Sequence, residues 1–360
     1  MQKYLIIQQK EYNISQIEQH IRDIFSYFNL SEALKNKNRI LIKPNLLGAH
    51  HPDKAVTTHP VIVEAVIKEV KKYNNNIILG DSPAGTVSLQ HVWQTTGMKT
   101  VCEKYNIPLV DFGKDGIINT LSNKLNHPLY FDKHVMESDV IINLAKMKTH
   151  GLMLYTGAVK NLYGTIPGLY KSELHKLYPS PDDFSKVLTV IYEILKPKIV
   201  INIIDGIIGM EGKGPAGGTP YPFGVLITSE KATVADYIAS EIMGFDIETI
   251  SYLKESLIND EIDYRSIDIS KINKKKIKIK SVVLANKLLN KMPKIISGIL
   301  RIFLYKYPSF KKNCIKCLIC AQGCPVQAIN CLENKMVLDK NKCIKCLCCH
   351  EMCPENAIKL

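Results

Sequence analysis

Two short runs of cysteine dominate what chemistry this 360-residue chain can do. The first reads Cys314-Ile-Lys-Cys317-Leu-Ile-Cys320-Ala-Gln-Gly-Cys324-Pro325. The second reads Cys343-Ile-Lys-Cys346-Leu-Cys-Cys349-His-Glu-Met-Cys353-Pro354. Both are C-x2-C-x2-C-x3-C-P, offset by 29 residues, and Ala328-Ile329 recurs as Ala357-Ile358. The segment is an internal duplication. Thiolates at these intervals are the ligation pattern of a [4Fe–4S] cluster.

The spacing has a geometric reason. Three cysteines at two-residue intervals let one tight loop wrap three corners of a cube. The fourth corner faces away and takes its ligand from elsewhere; where two such runs occur, it comes from the other run. One cluster is therefore assigned to Cys314, Cys317, Cys320 and Cys353, and a second to Cys343, Cys346, Cys349 and Cys324. Pro325 and Pro354 restrict the backbone just beyond each crossing ligand. So short a segment has little apolar material, so its clusters must act as its core.

Other cysteine chemistries fit less well. A zinc site uses four ligands as two pairs with a longer gap between them. A disulfide framework belongs to an oxidising compartment, and the first residues lack the apolar stretch of a secretory signal, which points to the cytoplasm. Cys346 to His350 spells C-x-x-C-H, the haem-attachment pattern, but both cysteines are already claimed by the repeat. Cys331, Cys348 and Cys102 have no ligand role and read as small apolar packing residues.

The elements ahead of this segment alternate. Strands are expected at 3–8, 39–43, 77–80, 108–112, 139–143, 199–204 and 223–228, and helices at 14–28, 58–73, 88–105, 184–195 and 232–243, from apolar periodicity and flanking turn residues. Alternation implies an α/β fold with a largely parallel sheet flanked by helices, followed by a small α+β module built on the cysteines. The expected divisions are an α/β domain at 1–265, a basic linker at 266–310 and a two-cluster module at 311–360. In such sheets ligands bind beyond the carboxyl ends of the strands. The residues there are Lys43-Pro44-Asn45, Asp81-Ser82, Lys146-Met-Lys148-Thr-His150 and Asp205-Gly206, all read as loops lining one rim.

Gly212, Gly214 and Gly217 spell G-x-G-x-x-G, yet Thr219-Pro220-Tyr-Pro222 and a strand follow instead of a helix. A dinucleotide fingerprint must open a helix, so it is rejected here.

Two resemblances follow from these residues. Residues of about 311–360 resemble the bacterial two-cluster ferredoxins. Residues of about 39–245 resemble the family called domain of unknown function 362. The matching stretches are Ile42-Lys43-Pro44-Asn45, Gly80-Asp81-Ser82-Pro83, Ile142-Asn143-Leu-Ala-Lys146-Met-Lys148-Thr149-His150-Gly151, Thr156-Gly-Ala-Val-Lys160-Asn161-Leu-Tyr-Gly164, Asp205 to Pro215, and Val234-Ala-Asp236. The chain departs at Ser229-Glu230-Lys231, where the resemblance leads one to expect Asp-Pro. It implies an association with iron–sulfur clusters but supplies no reaction.

Several roles are open to the rim. Lys43, Lys146, Lys148 and Lys160 can converge on an anion. Asp81, Asp205, Glu211 and Asp236 can hold a divalent cation or act as acid–base groups, and His150 can move a proton near neutral pH. Lys43, Asp81, Lys146, Lys148 and His150 are the catalytic candidates. Asn45, Lys160, Asn161, Asp205, Glu211 and Asp236 are the candidates for binding an additional organic cofactor. The blander reading makes Lys160 and Asn161 a helix end and Asp236 a buried carboxylate in need of a partner.

The net charge of +13 is local: fourteen Lys or Arg and no Asp or Glu lie between Lys271 and Lys316. Lys274–Lys280 alternates like an edge strand. Residues 271–310 also suit a solvated linker, peripheral membrane contact or docking of an acidic redox partner. Nucleic acid is disfavoured, because no aromatic residues interleave the basic ones. The expectation is an iron–sulfur electron-transfer component of a cytoplasmic oxidoreductase, with a redox partner protein and a small-molecule substrate. The alternative is a non-enzymatic electron carrier whose α/β domain docks partners.

Overall fold

The computed structural model describes residues 2–84, 88–270 and 307–359, with positions 274, 275, 277, 278, 288, 289, 292, 296 and 300 between them. Its main sheet is built from β1 (Tyr4–Gln8), β2 (Ile40–Pro44), β3 (Ile77–Asp81), β4 (Leu109–Asp111), and, after a separate hairpin of β5 (Ile117–Thr120) and β6 (Leu129–Asp132), from β7 (Val140–His150), β8 (Leu154–Thr156), β9 (Ile199–Glu211), β10 (Thr219–Tyr221) and β11 (Val225–Ser229). The order is β1-β11-β9-β7-β2-β3-β4, with β10 on β9 and β8 on β7. Strands β9, β7, β2, β3 and β4 run parallel, while β11 and β1 close the other edge antiparallel. This is the α/β architecture that the alternation implies.

Side chains along each parallel strand alternate between two apolar layers, as a pleated strand covered on both faces requires. Ile40 and Ile42 of β2 and Ile142 and Leu144 of β7 enter one layer. Leu41, Ile141 and Ala145 enter the other. The first layer is covered by α1 (Ile14–Tyr27) and α2 (Pro60–Val70), the second by α3 (Pro181–Leu195) and α4 (Ala232–Ile242). Local chemistry sets these helices. Asn13 caps α1 by accepting from Gln16 N–H, and Ile17, Ile21, Ile24 and Phe25 form its buried stripe. Ser180 caps α3, with Pro181 at its first position and Asp182 and Asp183 in its first turn. The expected helix at 88–105 is two, Leu89–Thr95 and Met98–Tyr105, broken at Gly97 with φ of 77°.

Two strands are longer than expected. β7 continues through Lys146, Lys148 and His150, and β9 through Asp205 to Glu211, so these residues sit on strands and not in loops. Both extensions are buried, and between Lys146↔Asp205 and Lys148↔Met210 the register shifts. Their charged residues mimic a loop in sequence only because each has a partner inside the fold.

The C-terminal module holds two short helices, Ile319–Gln322 and Cys348–Met352, and the strand pairs Ser309–Phe310 with Ile358–Lys359 and Ile329–Leu332 with Lys335–Leu338. Most of the basic segment lies outside the described residues. Positions 274, 275, 277 and 278, expected on an edge strand, are in no strand. Among the described residues no helix is long and apolar enough to cross a membrane.

Candidate functional site

The parallel strands deliver their carboxyl ends to one rim, and two buried ion pairs stitch it together. Lys43 Nζ on β2 lies 2.7 Å from Asp81 Oδ1 on β3. Asp81 also accepts from Leu46 N–H at 2.6 Å and Ser82 N–H at 2.9 Å. Gly164 closes over this pair so tightly that a Cβ there would strike the Asp81 carboxylate and the Lys43 ammonium. Lys146 Nζ on β7 lies 2.8 Å from Asp205 Oδ2 on β9, and Tyr12 donates to Asp205 Oδ1 at 2.8 Å. Burial lowers both lysines from their ordinary range while the facing carboxylates pull them back. Lys43 and Lys146 therefore do not converge with the other lysines on a common anion.

The remaining carboxylates are also taken. Asp236 accepts from Tyr155 O–H at 2.9 Å, Ala158 N–H at 2.6 Å and Val159 N–H at 2.9 Å; burial still pushes it up to about 7. Gly157 is needed here because a Cβ would meet the Asp236 carboxylate and the Tyr155 hydroxyl. Glu211 accepts from Lys278 N–H at 2.6 Å. Among the described residues no three His, Cys, Asp or Glu side chains gather as they would around a single metal ion. Asp81, Asp205, Glu211 and Asp236 thus form no common cation site; each stabilises a different junction.

A cavity of about 720 Å³, counted to its open mouth, lies over the rim. Asn45, Asp81, Lys148, His150, Lys160 and Asn161 line it, together with Tyr163, Lys171 and His175. Its far wall comes from the C-terminal module: Cys348, Glu351 and Met352. Lys148 Nζ is held by Asn45 Oδ1 and Val56 O, each at 2.7 Å. Asn161 Nδ2 donates to Asn143 Oδ1 at 2.8 Å, and Asn143 Nδ2 to Asn202 Oδ1 at 2.8 Å. This amide chain crosses the strands and fixes Asn161 at the cavity floor.

His150 has a defined tautomer. Its Nδ1 accepts from Leu152 N–H at 3.1 Å and Met153 N–H at 3.2 Å, so Nε2 carries the proton. Nε2 faces Glu351 Oε1 at 3.2 Å, but the two are not aligned as a hydrogen bond, and both atoms are buried without a partner. Asn161 Oδ1 is a third such atom in the same cavity. Burial holds His150 well below its ordinary range, and the nearby Lys160 pushes the same way. Burial raises Glu351, with Lys160 and Lys148 opposing.

Lys171, Tyr163 and His175 were absent from the sequence candidates. Lys171 donates to Ser82 O, Ser82 Oγ and Pro83 O, and burial lowers it to about 7. Lys171 and His175 stand four residues apart on the helix Tyr170–Leu177, hence on one face. That spacing is the one signal in the sequence that couples them.

The module places its cysteines around two further cavities of about 340 Å³ each. Cys314, Cys317, Cys320 and Cys353 line one; Cys324, Cys343, Cys346 and Cys349, with Cys348, line the other. The duplication extends to backbone conformation. Lys316, Leu318 and Gln327 have positive φ, and so do Lys345, Leu347 and Asn356, 29 residues on. Ala328 N–H donates to Cys324 Sγ at 3.3 Å, and Ala357 N–H to Cys353 Sγ at 3.2 Å. Four thiols per cavity, one in each already served by a backbone donor, suit thiolate ligation of an iron–sulfur cluster. Cys348 is buried, while Cys331 is exposed and is not the packing residue expected. The Cys348 thiol hydrogen-bonds Cys346, which lowers Cys346 and raises Cys348.

Residues 40–241 match the family model described as "Domain of unknown function (DUF362)", and residues 336–359 match the 4Fe-4S binding domain. The chain is 33% identical over 222 residues to the thylakoid-associated protein sll1697 of Synechocystis sp., covering 61% of this chain and 68% of that protein. Among solved structures, the lactate racemase apoprotein of Thermoanaerobacterium thermosaccharolyticum aligns with a TM-score of 0.43 at 12% identity, over 66% of this chain and 57% of that one. The chain thus spans less than two thirds of that racemase. The 4Fe-4S binding domain gives the protein an iron–sulfur electron-transfer role.

Proposed function

This chain belongs to the DUF362 family, joined to a 4Fe-4S binding domain, and on that footing we propose that it is the electron-transfer component of an oxidoreductase whose small-molecule substrate occupies the rim cavity. Two [4Fe–4S] clusters are held, one by Cys314, Cys317, Cys320 and Cys353 and one by Cys343, Cys346, Cys349 and Cys324. When bound, such clusters supply electrons one at a time. A redox partner protein feeds or drains them.

One observation carries this reading: Cys348 lines both the rim cavity and the cavity of Cys324, Cys343, Cys346 and Cys349. A molecule on the rim is therefore next to that cysteine set, with the Cys348–Met352 helix as the shared wall. The rim residues bind and orient it. Lys148, pinned by Asn45, and Asn161, pinned by Asn143, are held rigidly enough to do so.

The test is a count followed by an assay. Anaerobically purified protein should carry about eight iron and about eight sulfide per chain, and Cys324→Ser should lose about half of each. Reduced methyl viologen mixed with the protein should be oxidised when fractions of a small-molecule cell extract are added. The Cys324→Ser variant should not support that oxidation. About four iron per chain would refute the two-cluster assignment. A fully loaded protein inert to every fraction would refute the enzymatic reading.

A further inference from the structure

Three of the buried side-chain polar atoms without a partner, His150 Nε2, Asn161 Oδ1 and Glu351 Oε1, line the one rim cavity. An unsatisfied buried polar group is costly, so a cluster of them marks a place where a ligand completes the hydrogen bonding. The cations around them differ in kind. Lys148 and Lys171 are spent on Asn45 Oδ1 and on carbonyl and hydroxyl oxygens of the chain. Lys43 is spent on Asp81. Lys160 has neither a hydrogen bond nor an ion pair among the described residues; its ammonium stands 5.5 Å from the Tyr163 ring centroid. It lies deep, yet keeps some exposure, into the cavity.

Lys160 is the electrostatic neighbour of Lys148, His150, Lys171 and His175 at once. Two carboxylates line the cavity. Asp81 is paired with Lys43, leaving Glu351 to face this group of bases. Burial disfavours the charged forms of the histidines, so Lys160, which no hydrogen bond or ion pair holds among the described residues, is the cation open to an anion from outside.

Backbone donors say which kind. A phosphate group is usually cradled by free N–H groups at a turn or helix start. Among the described residues, the N–H groups at the turns and helix starts here are already committed. Ala158 and Val159 N–H serve Asp236, Ser82 N–H serves Gly164 O and Asp81, Gly168 N–H serves Ser82 Oγ, and Leu152 and Met153 N–H serve His150. Among the described residues, the lining groups left without a partner include the Lys160 ammonium, the His150 Nε2–H and Asn161 Oδ1, beside the apolar surfaces of Leu47, Tyr163 and Met352.

We propose that the rim cavity binds a small organic carboxylate, held by Lys160 Nζ and His150 Nε2–H, with Asn161 Oδ1 accepting from the rest of the molecule. The proposal rests on the reading of this cavity as the substrate site and names the class of molecule it takes. Glu351 competes with the ligand for the same donors.

The test needs no electron flow, so its failure is distinct from failure of the redox reading. Acetate, succinate and inorganic phosphate are titrated calorimetrically into oxidised, anaerobically purified full-length protein. Visible absorbance and iron content verify that each variant is intact. Acetate or succinate should saturate one site. Lys160→Met should weaken it about tenfold or more, and Lys160→Arg should largely retain it. Glu351→Gln should tighten it, which gives a gain that a folding defect cannot imitate. Phosphate should neither bind nor compete. Equal carboxylate affinity in wild type and Lys160→Met, no saturable carboxylate binding, or phosphate binding as tightly as succinate would each overturn the proposal.

Discussion

The α/β domain and the cysteine module share a cavity wall but are stabilised by opposite means. The domain buries two broad apolar layers, and can afford charged residues between them because Lys43–Asp81 and Lys146–Asp205 are closed pairs. Among the described residues the module's main buried cluster is six residues, of which Cys320, Cys349 and Cys353 are three. One region keeps its charges for structure and leaves a few for chemistry; the other uses its chemical groups as its structure. Burial alone is therefore a poor guide to function here. The buried lysines that matter are those the fold leaves without an internal counter-charge.

The largest expected break in this comparison comes from removing iron. Chelation under anaerobic conditions should abolish amide-exchange protection over 309–359 while leaving the parallel strands of the α/β domain protected. A module that stays protected without iron would show an adequate apolar core of its own. Next in size is Asp81→Ala. It strands the Lys43 ammonium in the interior and should cost about 3–5 kcal/mol in denaturant unfolding, whereas Lys43→Met with Asp81→Leu should cost far less. A mild Asp81→Ala would mean that water reaches the pair.

Acid provides a middle-sized effect. Burial depresses His175 to about 3, beneath the stacked Phe184 ring at 4.1 Å. Below about pH 6.5 the unfolded chain takes a proton that the folded chain refuses, so stability falls as pH drops towards about 3. At pH 5 this is about 2 kcal/mol from His175. His50 and His59, each lowered to about 4 by burial, add in the same direction. His175→Gln should flatten the acid limb of a melting-temperature profile, and an unchanged limb would place the loss elsewhere. The smallest effect is at the exposed pair Lys35–Glu32, where Glu32→Ala should change stability by less than about 0.5 kcal/mol.

Much of the fold is legible in the sequence because period-2 apolar runs and capped amphipathic helices are local signals. The rim was legible in part: Asp81, Lys148 and His150 line one cavity, whereas Lys146 and Asp205 lie within β7 and β9 and pair with each other. Their division of labour was not, because pairing is decided by register across β2, β3, β7 and β9. Tyr12 shows the same limit. It stacks on His59 at 3.6 Å and hydrogen-bonds Asp205, which stands 193 residues away in the chain. Lys171 and His175 announce only that they share a helix face.

The most direct test of the account is an EPR-monitored redox titration of wild type and Lys160→Met. Lys160 is an electrostatic neighbour of Cys348, which lines the cavity of Cys324, Cys343, Cys346 and Cys349. Losing its charge should lower the potential of the cluster on Cys343, Cys346, Cys349 and Cys324, since net charge nearby sets cluster potentials. The second cluster proposed, on Cys314, Cys317, Cys320 and Cys353, should move less. Equal shifts in both, or no shift in either, would contradict a rim cavity coupled to a single cluster.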